Sequence, residues 1–160
     1  MSEPKPQYII LATLPFSLIT IFIWVNFMSN IFILVPFISI FTISFISTIF
    51  QHLTEDIGKY KPVIKSEKYI ETMWLWLDRI SAILLILFAF IFLLYNFSII
   101  PLLLGTLAIA LSLSIDTPFR KNNFKKNNPF LYGTLHSLWH ISGYITLSFL
   151  VPGFRLYLGI

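Results

Sequence analysis

A chain of 160 residues that is 57% hydrophobic and only 11% charged carries more apolar surface than a soluble domain of this size can bury. It has no cysteine, which excludes disulfides, thiolate metal sites and a cysteine nucleophile. The formal charge of +4 is not a nucleic-acid signal, because the basic residues lie between apolar segments, where membrane topology accounts for them.

Five apolar segments follow one another. The first covers residues 8–27; it is too long for a signal-peptide core and no small-residue cleavage site follows it, so it is expected to stay as a span. The second covers 31–52 and ends on "STIFQH". Pro15 and Pro36 fall inside these two segments and are expected to kink them rather than break them. A lysine-rich stretch follows, in which Ser66 is placed to cap a helix entering the membrane through "EKYIETMWLWL", with Trp74 and Trp76 in the interfacial aromatic belt. The third segment covers 73–95 and contains "LDRISAILL". The fourth covers 99–115; Asp116 caps the turn "DTPF", and Thr117-Pro118 ends the helix. Asn128-Pro129 reads as an N-cap with proline at the first helical position, and opens the fifth segment, 129–151.

About 20 residues at about 1.5 Å each cross the roughly 30 Å of hydrocarbon. Without water, a spanning backbone has to satisfy its own hydrogen bonds, and segment length selects helix over strand. The expected fold is all-α: one domain over residues 1–160, a polytopic bundle of five transmembrane helices. Lysine and arginine set its orientation. Of the 11 basic residues, all but Arg155 fall on one side if the N-terminus is cytoplasmic. The loops "NFMSN" and "NFSII", on the other side, carry no charge. A bacterial inner membrane is the simplest location.

The polar residues gather on that cytoplasmic side. His52 closes the second segment, and Asp78 lies about a turn and a half inside the third. His136 and His140 lie roughly 10 and 16 Å along the fifth segment from Pro129. They are one helical turn apart, so they share a face and are spaced to hold one metal ion. A third histidine from another helix would complete three nitrogen ligands and leave a position for water, the open arrangement of catalytic zinc. Such a water ionises near pH 7 and attacks a carbonyl that the metal polarises. Asp78 would handle its proton. Ser47 or Thr48, one turn before His52, would steady the oxyanion.

The succession "STIFQH", "LDRISAILL", "HSLWHISGY" resembles the CREST-type superfamily of integral-membrane hydrolases. That superfamily contains alkaline ceramidases, progestin/adiponectin-type receptors and haemolysin III-like proteins, and the ceramidase branch is the nearest in pattern. The resemblance implies a Zn2+ ion held by His52, His136 and His140, with Asp78 and a hydroxyl beside the metal water. It also implies a membrane-lipid substrate and hydrolysis of a lipid amide or ester. The sequence departs from the family in having five segments instead of seven. It also has Thr48 where the family places a serine.

Other readings stay open at this level. Histidines on facing helices can ligate haem, with His52 paired axially to His136 or His140 in an electron carrier. A lipid receptor could hold the metal only as a structural staple. A Ser-His-Asp triad is weaker, because no G-x-S-x-G pattern surrounds Ser47. Five helices make a thin wall around a lipid, so a homo-oligomer could supply the remainder.

Overall fold

The computed structural model describes the backbone of residues 7–60, 65–115 and 129–160, and the side chains of 12–51, 73–114 and 131–160. Ser66, Asp116, Thr117, Asn128 and the lysine-rich stretches lie outside the residues whose side chains are described. Six helices make up the described part: α1 (Gln7–Phe27), α2 (Ile31–Tyr60), α3 (Lys65–Tyr95), α4 (Ile99–Ile115), α5 (Pro129–Leu150) and α6 (Pro152–Leu158). The all-α expectation is met. Pro15 and Pro36 stay inside continuous helices.

The turns show how the sequence starts and stops each helix. Residues 28–30 link α1 to α2. The Asn30 side chain accepts a hydrogen bond from the Phe32 N–H at 3.0 Å, and the Asn30 carbonyl receives the N–H groups of Ile33 and Leu34. An asparagine in this position satisfies donors that a helix leaves open at its start. Only Val151 separates α5 from α6. Pro152 begins α6, whose axis turns 89° from that of α5. Gly159 ends α6 at φ 74, a backbone conformation that a side chain disfavours.

Cross-helix contacts fix the topology. Thr20 meets Tyr144 and Ser148, Trp24 meets Leu147, and Phe27 meets Gly153, so α1 and α5 run parallel. Phe37 meets Phe88 near one end, and Thr48 meets Asp78 toward the other, so α2 and α3 run antiparallel. Helices α1, α2, α3 and α5 surround the core, and α4 packs on the outside of α5. There Gly105 faces Thr146 closely enough that a Cβ would stand 3.4 Å from its Cγ2.

The interior has two layers. The layer toward residues 28–30 and 96–98 is aromatic. Trp24 is fully buried and stacks on Phe37 with ring centroids 3.7 Å apart, and Phe88 and Phe92 each lie 5.8 Å away. Its indole Nε1 donates to the Leu147 carbonyl at 2.9 Å. The opposite layer is polar, with Ser47, Thr48, Gln51, Asp78, Ser81 and His136 all buried. Phe22, Phe90, Leu94, Leu103 and Leu113 face outward and are well exposed. Apolar outside and polar inside suits a bundle surrounded by lipid, where helices associate through packing and interhelical hydrogen bonds instead of the hydrophobic effect.

Length supports fewer spans than the sequence suggests. Among the described residues, Ile31–Gln51 and Met73–Tyr95 are long and apolar enough to cross a membrane. Leu131–Leu150 joins them only when paired with α6 across the 89° bend. The apolar stretches Ala12–Phe27 and Ile99–Ser114 are shorter. The reason is plain for α4, whose 17 residues rise only about 25 Å.

Candidate functional site

The polar layer begins on α2, whose ISFIST stretch places three hydroxyls, Ser44, Ser47 and Thr48, within five positions. Ser47 Oγ and Thr48 Oγ1 each lie 2.9 Å from the Ser44 carbonyl, one turn back. Hydroxyls in helices commonly return to a carbonyl of the preceding turn. Thr48 Oγ1 also meets Asp78 Oδ1 on α3. Ser81, three residues after Asp78, donates to the Asp78 carbonyl at 3.0 Å and comes within 3.5 Å of Ser47 Oγ. Asp78 is 8% exposed, whereas its neighbour Arg79 is exposed. The two adjacent side chains therefore face different surroundings.

Thr48 has one hydroxyl proton and two acceptors within reach. With Asp78 ionised, the threonine donates to the carboxylate. With Asp78 protonated, the acid donates to Thr48 and Thr48 donates to the Ser44 carbonyl. Both protonation states are thus hydrogen-bonded by the same heavy-atom arrangement. That matters because an unpaired buried charge or hydroxyl is costly.

On α5 the polar residues recur every four positions: Tyr132, His136, His140, Tyr144 and Ser148. His136 is buried and His140 half-buried. Their Nε2 atoms lie 3.1 Å apart. Tyr132 packs on His136 with centroids 5.5 Å apart, Trp139 stacks on His140 at 4.6 Å, and Tyr144 lies over His140 at 6.3 Å. Tyr144 is buried and packs on Phe41 of α2 with ring centroids 5.5 Å apart. Below Tyr144, Ser148 Oγ lies 3.1 Å from Thr20 Oγ1 of α1 and donates to the Tyr144 carbonyl at 3.0 Å.

The fold therefore brings Ser47, Thr48, Asp78 and Ser81 together on α2 and α3, and sets His136 beside His140 on α5. The backbone of His52 sits one turn beyond Thr48 in α2, and its side chain lies outside the described residues. The metal expectation is not met. Among the described residues, no group of three His, Cys, Asp or Glu side chains is placed to hold a metal ion. The nearest described partner of the Asp78 carboxylate is a threonine hydroxyl, and the two histidines close on each other. Their 3.1 Å separation is a hydrogen-bond length.

This corrects several expectations. Zn2+ with His52, His136 and His140 as ligands, zinc-dependent hydrolysis of a lipid amide or ester, the membrane-lipid substrate and the resemblance to the ceramidase-type superfamily all fall with the metal cluster. The metal-stapled receptor falls for the same reason. The haem alternative paired His52 with His136 or His140, and the His52 side chain lies outside the described residues.

Tyr144, Ser81 and Thr20 were not expected at the site. The four-residue spacing after His140 was a usable signal for Tyr144, as was the three-residue spacing after Asp78 for Ser81. Nothing local marked Thr20. No family model, curated protein or solved structure matches the chain.

Proposed function

We propose that the chain is a membrane protein of five spans, a single domain over residues 1–160 with its N-terminus in the cytoplasm of a bacterium, whose polar layer takes up and releases a proton. Asp78 and the His136–His140 pair are the proton-binding groups. Thr48 and Ser47 position the carboxyl. The protein is in this reading a proton-responsive membrane element, such as part of a carrier or sensor, rather than a hydrolase.

The observation that supports this most is the Asp78–Thr48–Ser44 arrangement, which is hydrogen-bonded with or without a proton on the acid. Ionisable groups within membrane helices are expensive to keep and tend to serve proton or ion binding. Among the side chains described in α1, α2 and α4 (residues 12–27, 31–51 and 99–114), none is ionisable. The ionisable ones buried in the surrounding helices are Asp78, Tyr132, His136 and Tyr144, with His140 half-buried, and all belong to the polar layer. In this reading the aromatic layer around Trp24 is the barrier at the opposite end, and protons enter from the side of the lysine-rich segments. The five-span count rests on the five apolar segments, and the orientation on the distribution of basic residues.

Infrared difference spectroscopy in lipid bilayers tests the proposal. Titration between about pH 4 and about pH 9 should reveal a protonated-carboxyl stretch. That band should vanish in Asp78→Asn and change frequency in Thr48→Val, which removes its hydrogen-bond partner. The proposal fails if no Asp78-dependent carboxyl band appears anywhere in that range.

A further inference from the structure

Beyond the polar layer, the least explained part of the molecule is α6. It leaves the end of α5 at 89°. Its sequence, PGFRLYL, contains only one charged residue, Arg155. Leu156 is 81% exposed and Tyr157 74% exposed, and Leu158 and Ile160 are exposed beside them. For a segment in water this is an unfavourable surface.

The position of α6 is nevertheless set by packing. Gly153 lies so close to α1 that a Cβ would stand 2.7 Å from the Phe27 carbonyl oxygen. Phe154 sits between Phe27 and Phe149, with centroids 5.6 and 5.7 Å away, and Tyr157 packs on Phe27 at 5.3 Å. The right-angle turn is thus clamped against the end of α1.

We propose that α6 is an in-plane anchor seated in the headgroup–acyl boundary of the membrane face opposite the lysine-rich segments. The inference rests on α5 crossing the bilayer, as proposed above. A helix at 89° to a spanning helix lies close to the membrane plane. The exposed leucines and isoleucine then enter the acyl region, and the amphipathic Tyr157 sits at the level where such rings collect. Arg155 supplies the positive charge that lipid phosphates complement. Its partner is the phospholipid surface itself. By clamping Phe27 and covering the end of the Trp24 layer, α6 also fixes the aromatic end of the bundle against the bilayer boundary.

The chain has no native cysteine, so single cysteines can be labelled without background. Nitroxides at Leu156→Cys and Ile160→Cys would be measured in phosphatidylglycerol-containing vesicles, using oxygen and a water-soluble nickel chelate as collision partners. Leu103→Cys, on the exposed side of α4, serves as the reference for a membrane-embedded position. The expected depth at Leu156 and Ile160 is about 5–10 Å below the phosphates, with Leu103 deeper. Gly153→Ala should release the clamp and shift the Leu156 label toward the chelate, and Arg155→Glu should do the same with the clamp intact. Full chelate access at Leu156 with Leu103 still buried overturns the anchor alone. Chelate access at both positions overturns the spanning reading on which it rests. Poor access of Leu156 to both reagents would show that a protein surface covers α6, which also refutes the lipid assignment.

Discussion

Replacing Trp24 by phenylalanine tests the aromatic half of the bundle. The indole occupies a fully buried position and donates from Nε1 to the Leu147 carbonyl at 2.9 Å. That carbonyl lies in the last turn of α5, where the next N–H available to it would be that of Val151. The Val151 N–H instead bonds Ser148 at 3.3 Å. Carbonyls at helix ends need a partner from elsewhere, and here Trp24 is that partner. Phenylalanine keeps an aromatic ring against Phe37 but leaves the carbonyl buried and unpaired, which costs about 1–3 kcal/mol. Its smaller ring also gives up part of the stack at 3.7 Å, worth about 0.5–1.5 kcal/mol. The combined loss is about 1.5–4.5 kcal/mol. Reversible unfolding by sodium dodecyl sulfate in mixed micelles measures it. Trp76→Phe is the control, because Trp76 is 56% exposed. If Trp24→Phe is no more destabilising than Trp76→Phe, the indole is not satisfying the end of α5 and the reasoning is wrong.

Three further outcomes are expected. Thr48→Val should destabilise by about 1–3 kcal/mol in the same titration, because it strips Asp78 of its hydroxyl partner, whereas Thr48→Ser should remain within about 0.5 kcal/mol of wild type. Gly105→Ala adds a methyl group at ordinary contact distance from Thr146 and removes a flexible residue from α4. It should be neutral or stabilising by up to about 1 kcal/mol, and a clear loss of stability would show that α4 and α5 pack more tightly than the 3.4 Å approach indicates. Protein purified without chelator should contain far less than one zinc per chain by elemental analysis, with no change in thermal midpoint on adding a chelator. Stoichiometric zinc lost in His140→Ala would reinstate a metal centre, with a ligand from outside the described side chains.

Much of the site was present in the sequence as spacing. His136 and His140, four residues apart, had to share a face of any helix containing them, and they do. Ser47, Thr48 and Asp78 were legible as polar residues near the same end of adjacent apolar segments. What spacing could not give was the direction in which each ring and carboxyl turned. The zinc expectation required donors from three helices to converge. The described side chains instead form a threonine–aspartate contact and a histidine–histidine contact. A side chain takes the nearest adequate partner, and that choice depends on helix rotation, which no local pattern encodes.

The apolar content, the absence of cysteine, the positions of the turns and the all-helical class were determined by the sequence itself. The first two are composition itself, and the helical class follows from a backbone that has to satisfy its own hydrogen bonds in apolar surroundings. Only the tertiary structure decided that α1 runs beside α5, placing Trp24 on an open carbonyl and Thr20 on Ser148 across more than 120 residues of chain. It also decided that the core separates into an aromatic end and a polar end, and that α6 turns through 89° against Phe27. These outcomes depend on which helix faces meet, and in a chain whose helices are apolar nearly all round, hydrophobicity does not choose the face. Shape, small residues and buried hydrogen bonds choose it.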